Sequence, residues 1–406
     1  RAVRADDYTN FTEELRFTSD YLFDSLDFIV GVYYENSDLA RFQSSDINFV
    51  AAGLGPILLQ RNEPWQQQTE TIAAFGQVRY DVIDRLRLIV GGRFAHETKD
   101  FNFDRYYHEY GTDDSLSPTA PLGPFDPAVS ASASRSEDKF TPAATLQYEL
   151  NDDVNVYASY AQGHKTGGFS DRIDAAGVDF DFDAEDNTSY ELGMKGIFFD
   201  GSLTANLTLY YMDVEGLQLA TQVPGTIPAF SVNNAAEVTS KGVEFDAQFR
   251  PNDLWTIGID YAYSDATYDE FVGTPDCPAS AVNSSGECDL SGFPLIFAPK
   301  HSGNGFIEVF DDTAFGQWGA GARFNASFSD EYFTDIAYAD SSFEDGYGIF
   351  GASIRLVSPD ENYTISLVGK NLTEEVVLQW GIPSGPNSLA SLRAPREIAV
   401  RFSAQF

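Results

Sequence analysis

The feature that most constrains this chain is a period-two alternation of apolar and polar side chains, sustained over runs longer than an ordinary strand. Leu86, Leu88, Val90, Gly92 and Phe94 are interleaved with Arg87, Ile89, Gly91 and Arg93. Leu203, Ala205, Leu207, Leu209 and Tyr211 alternate with Thr204, Asn206, Thr208 and Tyr210, and Val243, Phe245, Ala247 and Phe249 with Glu244, Asp246, Gln248 and Arg250. Trp318, Ala320, Ala322, Phe324 and Phe328 oppose Arg323, Asn325 and Ser327, and Ile398, Val400, Phe402 and Phe406 close the chain. Successive side chains of a strand point to opposite faces, so each run builds one apolar and one polar wall. The runs predict strands of about 10 to 15 residues, against about 5 or 6 in soluble sheets and about 9–11 for a tilted crossing of hydrocarbon. Length and alternation together predict strands that cross a membrane.

The connections agree. Asp200-Gly201 reads as a two-residue hairpin turn, and short turns fall at Val82–Asp84, Asn151–Asp153, Pro251–Asp253, Asp311–Ala314 and Pro359–Glu361. Between them lie long segments at 37–68, 100–137, 164–187, 216–236, 266–298, 331–345 and 372–393. Short turns at one end and long loops at the other are the habit of outer-membrane barrels. The expected fold is all-β: a transmembrane antiparallel up-and-down β-barrel, with about fifteen strands present between Phe11 and Phe406. Single-chain bacterial barrels use an even number, so an odd count predicts that the first strands of the barrel lie outside this chain.

Composition removes other classes. No stretch approaches 18 consecutive apolar residues, which excludes a helical membrane span but not a barrel. A formal charge of −37 repels nucleic acid. Acid-rich stretches such as Asp100–Asp104 and Asp179–Asp186 read as loops that could hold divalent cations beside lipopolysaccharide, or that simply solvate. The four histidines share no metal-ligand spacing, and no nucleophile elbow, P-loop or H-E-x-x-H run occurs, so no metal site and no enzyme is expected. Cys277 and Cys288 share one polar segment, and a disulfide between them would contribute about 3 kcal/mol.

Several segments resemble the barrel of TonB-dependent outer-membrane receptors. They are Val156–Gly163 followed by Lys165-Thr166-Gly167-Gly168-Phe169, then Ser189–Gly196, Lys241–Phe245, Gly369–Thr373 and the ending from Pro395 to Phe406. The resemblance implies a barrel of twenty-two strands, filled by an amino-terminal plug and energised by the TonB–ExbB–ExbD motor in the inner membrane. On that pattern this chain looks like strands eight to twenty-two, with plug and TonB box outside it. The implied function is import of a scarce small-molecule ligand, a ferric siderophore or other iron chelate first. Cobalamin, carbohydrate or aromatic compounds are alternative cargoes. An unplugged diffusion porin and a soluble all-β carbohydrate-binding or structural protein are the competing classes.

Charges on the polar walls belong in a lumen, because a basic residue at mid-bilayer on the lipid face costs about 2–4 kcal/mol. Arg79, Arg87, Arg93, Glu191, Lys195, Glu244, Asp246, Arg250, Asp260, Arg323 and Arg355 are therefore expected inside, where a plug would meet them, or would simply line a hydrated channel. Tyr106, Tyr107, His108 and Tyr110 form an aromatic run, and His164, Lys165, Arg172 and Trp380 lie beyond strand ends. Rings and polar groups at an extracellular mouth suit ligand capture, or alternatively packing of loops. Phe402 and Phe406 are read as an assembly signal in the closing strand.

Overall fold

The computed structural model describes residues 2–19, 25–48, 58–109, 115–116, 129–170, 180–222, 230–274, 277–384 and 387–405. Fifteen strands follow one another: β1 (Ala2–Ser19), β2 (Leu26–Asn48), β3 (Leu58–Ile83), β4 (Leu86–Glu109), β5 (Val129–Glu149), β6 (Val154–Lys165), β7 (Glu185–Phe198) and β8 (Leu203–Gln222). They continue as β9 (Phe230–Asn252), β10 (Trp255–Glu270), β11 (His301–Phe315), β12 (Trp318–Ser329), β13 (Tyr347–Val357), β14 (Tyr363–Lys370) and β15 (Glu397–Ala404). Each pairs antiparallel with its neighbours in chain order, in one continuous sheet. The count matches the fifteen read from alternation.

Loops sort by end. The connections 84–85, 150–153, 199–202, 253–254, 316–317 and 358–362 are short, and the alternate ones, such as 271–300, 330–346 and 371–396, are long. At the 199–202 turn, Asp200 and Gly201 take φ of 55° and 90°, and Ser202 N–H donates to Phe199 O at 3.2 Å. Two positive φ values are what a hairpin turn matching the strand twist requires, and glycine supplies one without strain.

Two expectations need correction. Segments 37–48, 58–68, 100–109, 129–137, 216–222, 230–236 and 266–270 are strand, not loop: Ser37 pairs with Thr69 and Asn48 with Leu58, Lys99 with Arg135 and Arg105 with Val129, and Gln222 with Phe230. The acid-rich stretch Asp100–Asp104 thus belongs to β4. Polar side chains there suppress the apolar signal, but the backbone ladder continues past the apolar belt. Strands β2 to β5 run 23, 26, 24 and 21 residues, so at about 3.3 Å per residue they stand well clear of the belt. The disulfide expected between Cys277 and Cys288 is not formed. Cys288 is 6% exposed and points into an apolar cluster with Leu290, Tyr268 and Phe271, where it packs as a small hydrophobe.

Register unites the faces. Arg87, Glu191, Glu244, Asp246, Arg323 and Arg355 fall on one face of the sheet, and Leu209, Phe249, Ile257, Phe324, Ile354, Ile365 and Val400 on the other, all seven of them exposed. The apolar stretches Leu203–Tyr211 and Trp255–Tyr263 are each nine residues long. Nine residues at about 3.3 Å and a tilt of about 40° span roughly 23 Å, close to the apolar band of an outer-membrane barrel. Gly242 marks a close approach: a Cβ there would collide with Tyr263 O.

Beyond the strands, the loops 271–300, 330–346 and 371–396 pack into one lobe. Tyr268, Phe271, Leu290 and Ile336 form its core. Thr334 Oγ1 donates to Ser342 O and accepts from Gly381 N–H, both at 3.0 Å, which ties two of the loops together.

Candidate functional site

Ten of the eleven charges that alternation assigned to the interior lie on the charged face by register, and Arg250 falls at the irregularity between Phe249 and Asn252 that ends the β9–β10 ladder. The wall satisfies most of its own cations. Arg79 pairs with Asp27, and Arg87 with Asp81 at 2.8 Å. Arg93 lies over the Tyr33 ring at 5.0 Å and Lys195 over Tyr157 at 5.6 Å. Glu308 holds Arg355 at 2.7 Å and Arg323 at 3.4 Å, while Arg323 also lies 3.5 Å from the centre of the Phe306 ring. The acids are treated differently. Asp246 and Asp260 are direct cross-strand partners, Asp246 accepts from Asn206 at 2.8 Å, and Glu191, Glu244 and Asp260 have no basic partner among the described residues.

Above that acid patch, a cavity of about 610 Å³ opens between β9–β12 and the loop lobe. Glu244, Asp246, Asp260 and Asn304 form its floor, with Phe297, Tyr332, Tyr347 and Arg393 overhanging it. Arg393 sits 5.3 Å over the Tyr347 ring. Beside it, Glu344 is 6% exposed and accepts from Leu378 N–H, and burial pushes its carboxyl above the usual range.

On β3–β5 the same face carries a second cluster that the sequence did not single out. Phe101 and Phe103 are each 1% exposed, packed against Trp65, Phe169 and Phe180. Phe101 stacks on Phe169 at 5.2 Å. Lys99 Nζ donates to Thr166 Oγ1 at 2.6 Å and Gly167 O at 2.8 Å, and Arg135 donates to Phe182 O at 2.5 Å. Glu137 accepts from Gly167 N–H at 3.2 Å. The flanks of the 166–184 connection are thus folded down onto the charged wall. Arg105 and Glu63, 1% and 7% exposed, pair at 2.7 Å nearby. The odd-numbered run 99, 101, 103, 105 continues the alternation of β4 and was the available signal.

Those of the residues expected to grip a ligand that are described lie on β4, β6 and the last long loop. Tyr106 and Tyr107 are consecutive strand residues on opposite faces, and only Tyr107, 4% exposed, lies on the charged face. His108 lies on β4, but its side chain, like Tyr110, Arg172 and Phe406, lies outside the described residues. His164 is bound to Asp186 at 2.6 Å, Lys165 is exposed near Glu185 at 3.9 Å, and Trp380 sits on a small ladder of the last long loop. Among the described residues no three acidic, His or Cys side chains converge as a metal site.

Residues 1–372 match the family model of the TonB-dependent receptor-like β-barrel. The chain is 22% identical over 387 residues to the pesticin receptor of Yersinia pestis, covering 94% of this chain and 49% of that protein. It is 28% identical over 190 residues to the ferric-pyoverdine 358 receptor of Pseudomonas putida, covering 46% of this chain and 20% of that protein. In structure it resembles the ferric yersiniabactin uptake receptor FyuA of Yersinia pestis, with a TM-score of 0.77 at 19% identity over 100% of this chain and 55% of that one. The siderophore receptor PiuA of Acinetobacter baumannii gives 0.73 at 17% identity, over 99% and 56%. This chain therefore spans about half the length of the pesticin receptor and of the two solved receptors. The apolar face is the lipid wall of an integral outer-membrane barrel, the charged face is its lumen, and the long loops form the outer mouth. By sequence and by fold, this chain belongs to the TonB-dependent receptor-like β-barrel family.

Proposed function

We propose that this barrel serves a receptor that imports a ferric siderophore or similar iron chelate. A plug coupled to the TonB–ExbB–ExbD motor gates the lumen. The observation that carries this reading is the luminal wall, which pairs most of its own cations with acids or rings yet leaves Glu191, Glu244 and Asp260 without a basic partner among the described residues. Such a wall suits a folded insert bearing Arg or Lys, whereas a water-filled porin needs no such complement. The relatives named for ferric chelates support the cargo class. In this reading the ligand enters at the mouth, over the cavity beneath Tyr332, Tyr347 and Arg393, and the motor displaces the plug to let it pass. Lipopolysaccharide surrounds the outer rim, where acidic side chains hold divalent cations.

Growth of a deletion strain on iron-limited medium, complemented with the gene and fed single ferric chelates, tests this. Rescue by one chelate, lost when the motor is inactivated, is the expected result. Growth indifferent to the gene, with purified protein giving a steadily open conductance in planar bilayers, would establish the porin instead.

A further inference from the structure

Every Lys and Arg with a ladder partner on the described barrel strands lies on the luminal face by register, with one exception, Lys241. That exception stands at the upper edge of the lipid face. Tyr211, Lys241 and Asp265 are successive partners across β8, β9 and β10. Below them, the outward face is Leu209, Val243 and Tyr263, and above them it turns polar at Asp213 and Thr239. The same level is marked by a ladder of outward tyrosines, with Tyr160–Tyr190 at 5.4 Å and Tyr190–Tyr211 at 6.4 Å. Such rings mark the boundary between hydrocarbon and headgroups.

Lys241 is not alone there. Its Nζ lies 3.8 Å from one oxygen of Asp265, and Lys300 places its Nζ 3.8 Å from the other. The two side chains are 59% and 62% exposed. One carboxylate between two ammonium groups leaves a net positive charge, at a place on the lipid face where a described strand supplies a cation. Asp213 and Asp269 lie one layer farther out and share the Thr239 hydroxyl, at 3.3 and 2.5 Å. Their repulsion therefore reaches an anion from the water side, where salt screens it.

We propose that Lys241, Asp265 and Lys300 form a seat for the phosphate headgroup of an outer-leaflet lipid of the lipid A type. The phosphate sits between the two ammonium groups, and the acyl chains run down the apolar face past Val243 and Leu209. The site is independent of the imported ligand. Each lysine near an anionic headgroup contributes about fivefold in affinity, so removing both costs about thirtyfold at low salt.

Native mass spectrometry of the protein purified from outer membranes in mild detergent, with added lipid A diphosphate, tests the proposal. Lys241→Ala/Lys300→Ala should lose bound lipid, whereas Lys241→Arg/Lys300→Arg should keep it. Asp265→Asn should retain more than wild type, because it removes the neutralising charge, and this variant guards against a folding artefact in the alanine pair. Inorganic phosphate at equal concentration should fail to displace the lipid, since it has no chains to bury. Equal retention by wild type and the alanine pair, or displacement by phosphate alone, would overturn the seat.

Discussion

Asp246 and Asp260 face each other directly across the β9–β10 ladder on the luminal wall, and Glu244 lies two residues along the same strand. Like charges in this position destabilise a sheet by about 0.2–1 kcal/mol. The sheet therefore holds an arrangement that its own side chains disfavour. Asp260→Asn should raise the thermal stability of the plug-free barrel by about 0.5 kcal/mol at low salt, an effect lost at high salt. In a plug-filled receptor the same change should lower stability. Thermal unfolding of the two forms checks both signs.

Phe101 anchors the two flanks of the 166–184 connection, through Phe169 and Phe180. Phe101→Ala removes a fully buried ring and should cost about 3–5 kcal/mol locally. The expected result is new proteolytic cleavage between residues 166 and 184 with the barrel's heat-modifiable migration unchanged. An uncut connection would show that Lys99 and Arg135 suffice to hold it.

The assignment of faces is checked most directly on β4. A cysteine at Leu88 should resist a water-soluble thiol reagent in intact membranes, while one at Arg87 should label once the lumen is open. The reverse pattern would exchange lipid and lumen throughout the sheet.

Glu344 lies outside the membrane in the loop lobe, and burial raises its carboxyl pKa. A carboxyl whose folded pKa is raised binds its proton more tightly in the native state. It weakens the fold above the folded pKa, and the penalty fades as pH falls through that value. Glu344→Gln, which keeps an acceptor for Leu378 N–H, should stabilise the lobe at neutral pH and match wild type in acid. Hydrogen exchange of residues 371–384 across pH reads this; a variant less stable at neutral pH contradicts it.

The outward face of β15 is Ile398, Val400 and Phe402, each more than 60% exposed, with Phe402 stacked 6.2 Å from Tyr363. If Phe402 and the terminal Phe406 guide assembly, deleting Phe406 should lower membrane insertion far more than ligand affinity per inserted molecule. Normal insertion of the truncated protein would defeat that role.

Alternation by itself determined the strand count, the lipid and luminal faces and the lumenal address of Arg87, Glu191, Asp246 and Arg323. The reason is local: period two is a property of the extended backbone, and a lipid wall admits few exceptions. Strand ends were less legible, because Asp100, Asp104 and Ser130 remain in ladder where no apolar face is needed. Only the tertiary structure decided which side chains meet. The pairing of Asp246 with Asp260, the burial of Phe101 beneath Phe169 and the shared contact of Lys241 and Lys300 with Asp265 depend on register and loop docking. The first is set by the register of one hairpin and the other two by how the flanking connections dock on the strands, and alternation along a single strand specifies neither.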